Sequence, residues 1–265
     1  MSSFAIARSA VAPVLAEPSL RSEQMTQLVM GETAAITGES GEWRRARTRF
    51  DGYDGWVHRG YVVETTEEGV EAWEREAEGW SLGAVVQLGA RQLRLPLRAR
   101  VVLDDQGVRL PDGRRGRLRV GAVLPRAEAV AAARARAAEQ WAIDNFGGTP
   151  YLWGGVTPAG VDCSGLVQTT FAARGISLPR DSSQQVHCGA GIATEAVRPG
   201  DLLFFRGEAS DRITHVALAG DGDTLVHSSV ANGEMLVEPW HPGTRAAYLR
   251  ERLVAVRRLE EGRKL

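Results

Sequence analysis

The chain has 265 residues, 43% hydrophobic and 25% charged, with a formal net charge of −1 at pH 7. This composition excludes a chain disordered throughout, and no apolar run approaches the ~18–20 residues needed to cross a bilayer. The near-neutral balance excludes a nucleic-acid surface as the organising theme, although every basic residue except Lys264 is arginine, which we read as coding bias.

Arg8 and Pro13 interrupt the apolar N-terminal stretch, so no export signal is read and a cytoplasmic location is expected. Up to about residue 125, short apolar stretches are punctuated by Gly, Asp and Glu. They predict two small β-barrels, over residues 8–65 and 70–124. The acidic stretch between them predicts a helical turn over 72–78. The Ala-, Arg- and Glu-rich segment 127–146 predicts a helix stopped by Gly147-Gly148-Thr149-Pro150. A second helix opens near Asp162-Cys163-Ser164 and ends at Gly175. Alternation over 202–205, 213–219, 224–230 and 253–257 predicts an antiparallel sheet. Residues 125–265 therefore read as a third, α+β domain.

The two cysteines, Cys163 and Cys188, form no disulfide framework for a chain of this size. Cys163 stands at a helix start, where free N–H groups and the helix dipole favour a thiolate. A cysteine nucleophile needs a base, and five histidines are available: His58, His187, His215, His227 and His241. His215 and His227 flank Gly220-Asp221-Gly222-Asp223, a hairpin turn. Centred on Asp221, the turn sets His215 directly opposite His227 on one face. One imidazole can then serve as base while the other fixes its tautomer. Two other readings stand beside this one. Cys163 can be a buried structural residue, and the two histidines can be metal ligands with Cys163 as a third. Cys188 and His187 read as structural.

Several runs together resemble the NlpC/P60 cysteine peptidases. They are Tyr151-Leu152-Trp153-Gly154-Gly155, Asp162-Cys163-Ser164-Gly165-Leu166-Val167 and Arg180-Asp181-Ser182-Ser183-Gln184-Gln185. In order after these come Arg198-Pro199-Gly200-Asp201-Leu202-Leu203-Phe204-Phe205, His215-Val216-Ala217-Leu218 and His227-Ser228-Ser229. The resemblance implies a papain-like catalytic domain with Cys163, His215 and His227 as the triad. The N-terminal region is similar to bacterial SH3 (SH3b) domains, through Ser22-Glu23-Gln24-Met25-Thr26-Gln27 and Asp51-Gly52-Tyr53-Asp54-Gly55-Trp56-Val57. The fold class implied is α+β, a papain-like domain preceded by two SH3-like barrels.

The resemblance also implies a substrate. Family members cut cell-wall peptides between γ-D-glutamate and a diamino acid, and those with SH3b domains over the cleft require a free N-terminal L-Ala. Glu23 and Tyr53 match the positions that hold that end, and Asp162, Ser164 and Ser182 match substrate-contacting positions. Asp162 suits an ammonium partner, or equally a helix N-cap. Trp153 is expected at the cleft floor, packing or stacking on substrate. The expected activity is a murein-peptide recycling endopeptidase with no metal or organic cofactor and neither nucleic acid nor membrane as partner. The alternatives are a secreted hydrolase of the intact wall and an SH3b wall-binding module with secondary catalysis.

Overall fold

A computed structural model describes residues 4–208 and 211–259 of the chain. Residues 209–210 and 260–265, part of the third expected domain, lie outside the described residues. The chain divides into two compact units, the first ending at Ala129 and the second beginning at Val130. Among the described residues no helix is long and apolar enough to cross a membrane.

The first unit opens with seven strands: β1 (Phe4–Ala7), β2 (Val11–Leu15), β3 (Gln24–Val29), β4 (Thr33–Ser40), β5 (Trp43–Thr48), β6 (Asp54–His58) and β7 (Val62–Thr65). They form one sheet in the order β3-β2-β6-β5-β4-β1-β7. Ala5, Ala7, Ala12, Val14, Leu28, Ala34, Ala46, Val57 and Val62 meet in one buried cluster. Every strand contributes, so the sheet wraps around its own core, and five alanines let its walls approach closely. The sheet starts at Phe4 rather than at residue 8, because β1 pairs with both β4 and β7 and joins two otherwise unpaired edges. Leu15 of β2 pairs with Gln24 of β3 and with Trp56 of β6. Glu23 and Tyr53, just ahead of β3 and β6, therefore lie at the same end of this barrel. The Tyr53 N–H donates to the Thr48 hydroxyl at 2.8 Å and to the Asp51 carboxylate at 3.2 Å, which fixes the turn carrying Tyr53.

Helix α1 (Glu67–Glu76) starts well before the helical turn expected at 72–78. Thr66 caps it, its hydroxyl accepting from the Gly69 N–H at 3.3 Å, and Glu67 and Glu68 sit at the positive end of the helix dipole. Val70 and Trp73 are buried with Ile6 and Val102. The second barrel comprises β8 (Gly79–Leu88), β9 (Arg91–Asp104), β10 (Gly107–Arg109), β11 (Arg115–Val120) and β12 (Val123–Pro125). Strands β8, β9, β10 and β11 pair in sequence and β11 returns to β8, closing the barrel, while β12 adds to β8. The two barrels are fused rather than beaded. A buried ion pair, Arg98 to Glu32 at 3.1 Å, ties them together. Gly31 lies so close to the Arg100 backbone that a Cβ there would meet its carbonyl oxygen at 2.2 Å.

The chain passes from one unit to the other within α2 (Arg126–Arg134). It continues through α3 (Ala138–Phe146), β13 (Val156–Thr157), β14 (Gly160–Val161), α4 (Cys163–Ala173), α5 (Ser182–Gln185) and β15 (Ala190–Gly191). Next come β16 (Leu202–Arg206), β17 (Ile213–Ala219), β18 (Thr224–Ser229), β19 (Glu234–Pro239), α6 (Arg245–Arg250) and β20 (Leu253–Arg258). The single helix expected over 127–146 is two. The buried Arg174 guanidinium donates to the carbonyls of Ala133 at 2.8 Å and Arg136 at 2.6 Å, satisfying the groups that the break leaves free. The sheet runs β15-β20-β16-β17-β18-β19, with α4 packed on β17 and β18. Every residue of α4 is buried, and no face of it carries a charged side chain.

Candidate active site

Cys163 is the first residue of α4 and is 8% exposed. Asp162 caps the helix. One carboxylate oxygen accepts from the Gly165 N–H at 2.7 Å and the other from the Gly154 N–H at 2.8 Å. The Arg180 guanidinium, 2% exposed, reaches these two oxygens at 3.1 and 2.5 Å and donates to the Ser164 hydroxyl at 2.7 Å. Only glycine fits at position 165, where a Cβ would meet the Gly155 carbonyl oxygen at 2.1 Å. The Gln185 amide donates to the carbonyls of Ser164 at 3.1 Å and Pro179 at 2.8 Å, pinning α5 to the start of α4.

The sheet supplies the other side. The Val216 N–H donates to the Cys163 sulfur, so the thiol meets β17 at the residue after His215. His215 Nε2 lies 3.0 Å from His227 Nδ1, with the rings nearly perpendicular at 80°. His227 is fully buried, and its Nε2 lies 3.3 Å from the Glu238 carboxylate on β19. The Ser228 hydroxyl donates to the Val161 carbonyl at 2.8 Å, tying the histidine strand to the loop before Cys163.

The two histidines meet by a register different from the one expected. Leu218 pairs with Val226 and Ala219 with Leu225, so the hairpin is centred on Gly222 rather than Asp221. Gly222 and Asp223 both take positive φ, and the Gly220 N–H donates to the Thr224 carbonyl, closing a three-residue turn. Continued, this ladder sets His227 opposite Ala217, with His215 one diagonal step away. The shift moves the partner by two residues, and side-chain faces repeat every two residues, so both rings stay on one face and still touch.

Residues 148–258 match the model of the NlpC/P60 family, and residues 10–63 match that of the bacterial SH3 domain. The chain is 30% identical over 219 residues to the gamma-D-glutamyl-L-lysine dipeptidyl-peptidase of Bacillus subtilis (strain 168), covering 77% of this chain and 71% of that one. It belongs to the NlpC/P60 family. It is also 33% identical over 125 residues to the murein DD-endopeptidase MepS/murein LD-carboxypeptidase of Escherichia coli K12, covering 47% of this chain and 64% of the relative. The crystal structure of an NlpC/P60 family protein from Bacillus cereus ATCC 10987 shares its fold, with a TM-score of 0.78 at 21% identity over 97% of this chain and 99% of that one. Peptidases of the NlpC/P60 family are of the cysteine type.

In this NlpC/P60 member burial favours the neutral forms of Cys163 and His215. Burial pushes the Cys163 thiol up to about 12, and the neighbouring Asp162 charge adds to the effect. Burial holds His215 well below its ordinary value, with the charges of His227 and Arg245 acting in the same direction. Burial thus raises the thiol further than the Val216 and Ser164 N–H groups lower it.

Other residues need correcting or adding. The Asp162 oxygens are taken up by Gly154, Gly165 and Arg180, so the structure gives this residue the role of helix cap rather than a free ammonium partner. Ser164 is 7% exposed and committed to Arg180. Trp153 is 57% exposed. Ser182 is half-buried at the head of α5, Glu23 is exposed, and Tyr53 is half-buried. Sequence reasoning gave no role to Tyr151, Arg180 or Glu238. Burial and the nearby Cys163 and Asp162 raise the Tyr151 phenol, which stays a hydrogen-bond donor. Tyr151 and Arg180 each head one of the runs that carried the family resemblance. Glu238 stands in none of them.

Proposed function

We propose that the protein is a cysteine endopeptidase that cleaves the γ-D-Glu–diamino acid bond of murein peptides bearing a free N-terminal L-Ala. The observation that carries this reading is that the Cys163 sulfur meets β17 at Val216, next to His215, whose ring pairs with His227. In the proposed reaction, Cys163 Sγ attacks the γ-D-Glu carbonyl while its proton passes to His215. The Cys163 backbone N–H, at the helix start, donates to the oxyanion, and the Tyr151 hydroxyl is available as a second donor. Collapse breaks the C–N bond, and His215 returns the proton to the leaving amine, leaving a thioester. Water then gives a proton to His215 and its oxygen to the carbonyl. The thiol leaves reprotonated, and L-Ala-γ-D-Glu is released.

The name of the Bacillus subtilis relative supports the choice of substrate, because a dipeptidyl-peptidase removes a dipeptide from a free amine. In the intact wall the L-Ala amine is capped by muramic acid. A free-amine requirement therefore fits peptide recycling, and we assign the activity to the cytoplasm on that basis. In this reading Glu23 and Tyr53 hold the amine, and Ser182 contacts the substrate. The test is to incubate the protein with L-Ala-γ-D-Glu-diaminopimelate, with its lysine counterpart and with intact sacculi, and to read products by mass spectrometry. We expect dipeptide release from the free peptides and little from sacculi. Release from sacculi alone would favour a wall hydrolase.

A further inference from the structure

His215 Nε2 faces His227 Nδ1, and His227 Nε2 faces Glu238, so three groups stand in series behind the thiol. Glu238 sits near the end of β19, opposite Leu225 on β18. Its two carboxylate oxygens also accept backbone N–H groups from the first turn of α6, Arg245 at 3.0 Å and Ala246 at 2.7 Å. Those donors have no partner within the helix, so they hold the carboxylate in place.

We infer that Glu238 is a positioning residue that sets the tautomer of His215, acting through His227. A carboxylate only accepts hydrogen bonds, so His227 must turn a protonated Nε2 toward it. A neutral imidazole has one N–H, which leaves His227 Nδ1 as a lone pair. His215 must then donate from Nε2, and its own lone pair is left on Nδ1. That nitrogen is the one able to take the proton from Cys163. Reverse the first hydrogen bond and every later one reverses, leaving an N–H where the base is needed. The charged groups around His227 are Glu238 on β19 and Arg245 on α6, and Arg245 opposes protonation of both histidines.

The inference rests on Cys163 and His215 acting as nucleophile and base, so the first test needs no turnover. Nitrogen-15 NMR of histidine-labelled protein at neutral pH should show the proton on Nε2 of both His215 and His227. A proton on His215 Nδ1 would overturn the inference, whether or not any peptide is cleaved. The Glu238→Gln amide can donate to His227 and reverse the series. It should shift part of His215 to the Nδ1–H form and lower kcat roughly tenfold to a hundredfold, the usual cost of losing an outer partner that orients a histidine, with KM little changed.

Glu238 also caps α6, and two controls separate that role. Thr244→Ala removes the other α6 cap, whose hydroxyl accepts from the Ala247 N–H at 3.1 Å, and should leave the nitrogen-15 pattern unchanged. In a His227→Ala background, Glu238→Gln should lower kcat by less than about twofold, because residues acting in series are not additive. An undiminished loss in that background, or a lowered kcat in Glu238→Gln with wild-type tautomers, would make Glu238 a structural residue only.

Discussion

The start of α4 and the histidine hairpin meet at one sulfur and hold it by different means. On the α4 side the polar contacts are an ion pair, backbone N–H and carbonyl groups, and the Gln185 amide. Asp162 accepts from Gly154 and Gly165, Arg180 pairs with Asp162, and Gln185 pins α5 to α4. On the hairpin side two neutral imidazoles and a carboxylate stand in series, and a change of proton position at one changes the next. In the proposed mechanism one side fixes where the sulfur is, and the other decides where its proton goes. Substitutions on the two sides should therefore fail differently: in stability on the first, in rate and pH response on the second.

The sulfur is common to both sides, and its removal should have the largest effect. Cys163→Ala should abolish cleavage of L-Ala-γ-D-Glu-diaminopimelate and leave the melting temperature near that of the wild type, since alanine is well suited to the first turn of a helix. Product at the wild-type rate, measured by mass spectrometry, would refute the proposed nucleophile.

Next in size is a loss on the α4 side alone. Arg180→Met leaves Asp162 buried without its cation, and breaking a buried pair in this way costs about 3–5 kcal/mol. Urea denaturation should show that loss. Asp162→Asn combined with Arg180→Met should recover part of it, since no lone charge then remains. An Arg180→Met protein of wild-type stability would mean that the ion pair is not what holds the helix start.

These two sides were not equally legible in the sequence. Helix α4 could be read from Asp162 at its start and Gly175 past its end, because caps and stops are local chemistry, and the family runs pointed to the same place. The hairpin was legible as a pair of histidines on one face, although its register was off by two. Parity alone preserved the pairing, since turn geometry depends on φ angles at Gly222 and Asp223 that the residue names do not fix. Strand β19 and helix α6 were not foreseen. β19 ends at Pro239, and its apolar residues Met235, Leu236 and Val237 are consecutive rather than alternating, so no period of two marks it as a strand. Glu238 went unseen with it. Saturation of Asp162 was equally hidden, because Arg180 lies 18 positions away and only the folded chain brings them together.

On the hairpin side, His227→Ala should lower kcat roughly tenfold to a hundredfold, as expected for the partner that orients a base, and His227→Asn should lose less because its amide oxygen still accepts from His215. The pH response belongs to the same side. His215 must be unprotonated to act, and burial depresses it from 6.5, so the acid limb of kcat/KM should lie below 6.5. Stability follows the same direction. The unfolded chain protonates both histidines near 6.5, whereas the fold resists doing so. Their contribution to stability is therefore complete above about 6.5 and is lost as pH falls below it. An acid limb above 6.5 would show that the base is not held in this buried, neutral form.

The smallest effect on turnover should come from the first unit, where no bond is made or broken. Glu23 and Tyr53 lie at one end of the first barrel, and in our reading they hold the ammonium of L-Ala. A hydrogen bond to a charged group contributes about 1.5–3 kcal/mol, so Glu23→Gln should raise KM roughly tenfold to a hundredfold. Turnover should change little, because the amine lies remote from the scissile bond and the contact serves ground and transition states alike. N-acetylated L-Ala-γ-D-Glu-diaminopimelate removes the same contact from the substrate side. The wild type should cleave it poorly, while Glu23→Gln should distinguish the two peptides much less, since a contact already lost cannot be lost again. Melting temperature should not move in either comparison, because Glu23 is exposed. Equal cleavage of free and acetylated peptide by the wild type would remove the amine requirement. The recycling assignment would fall with it, while the chemistry at Cys163 would stand.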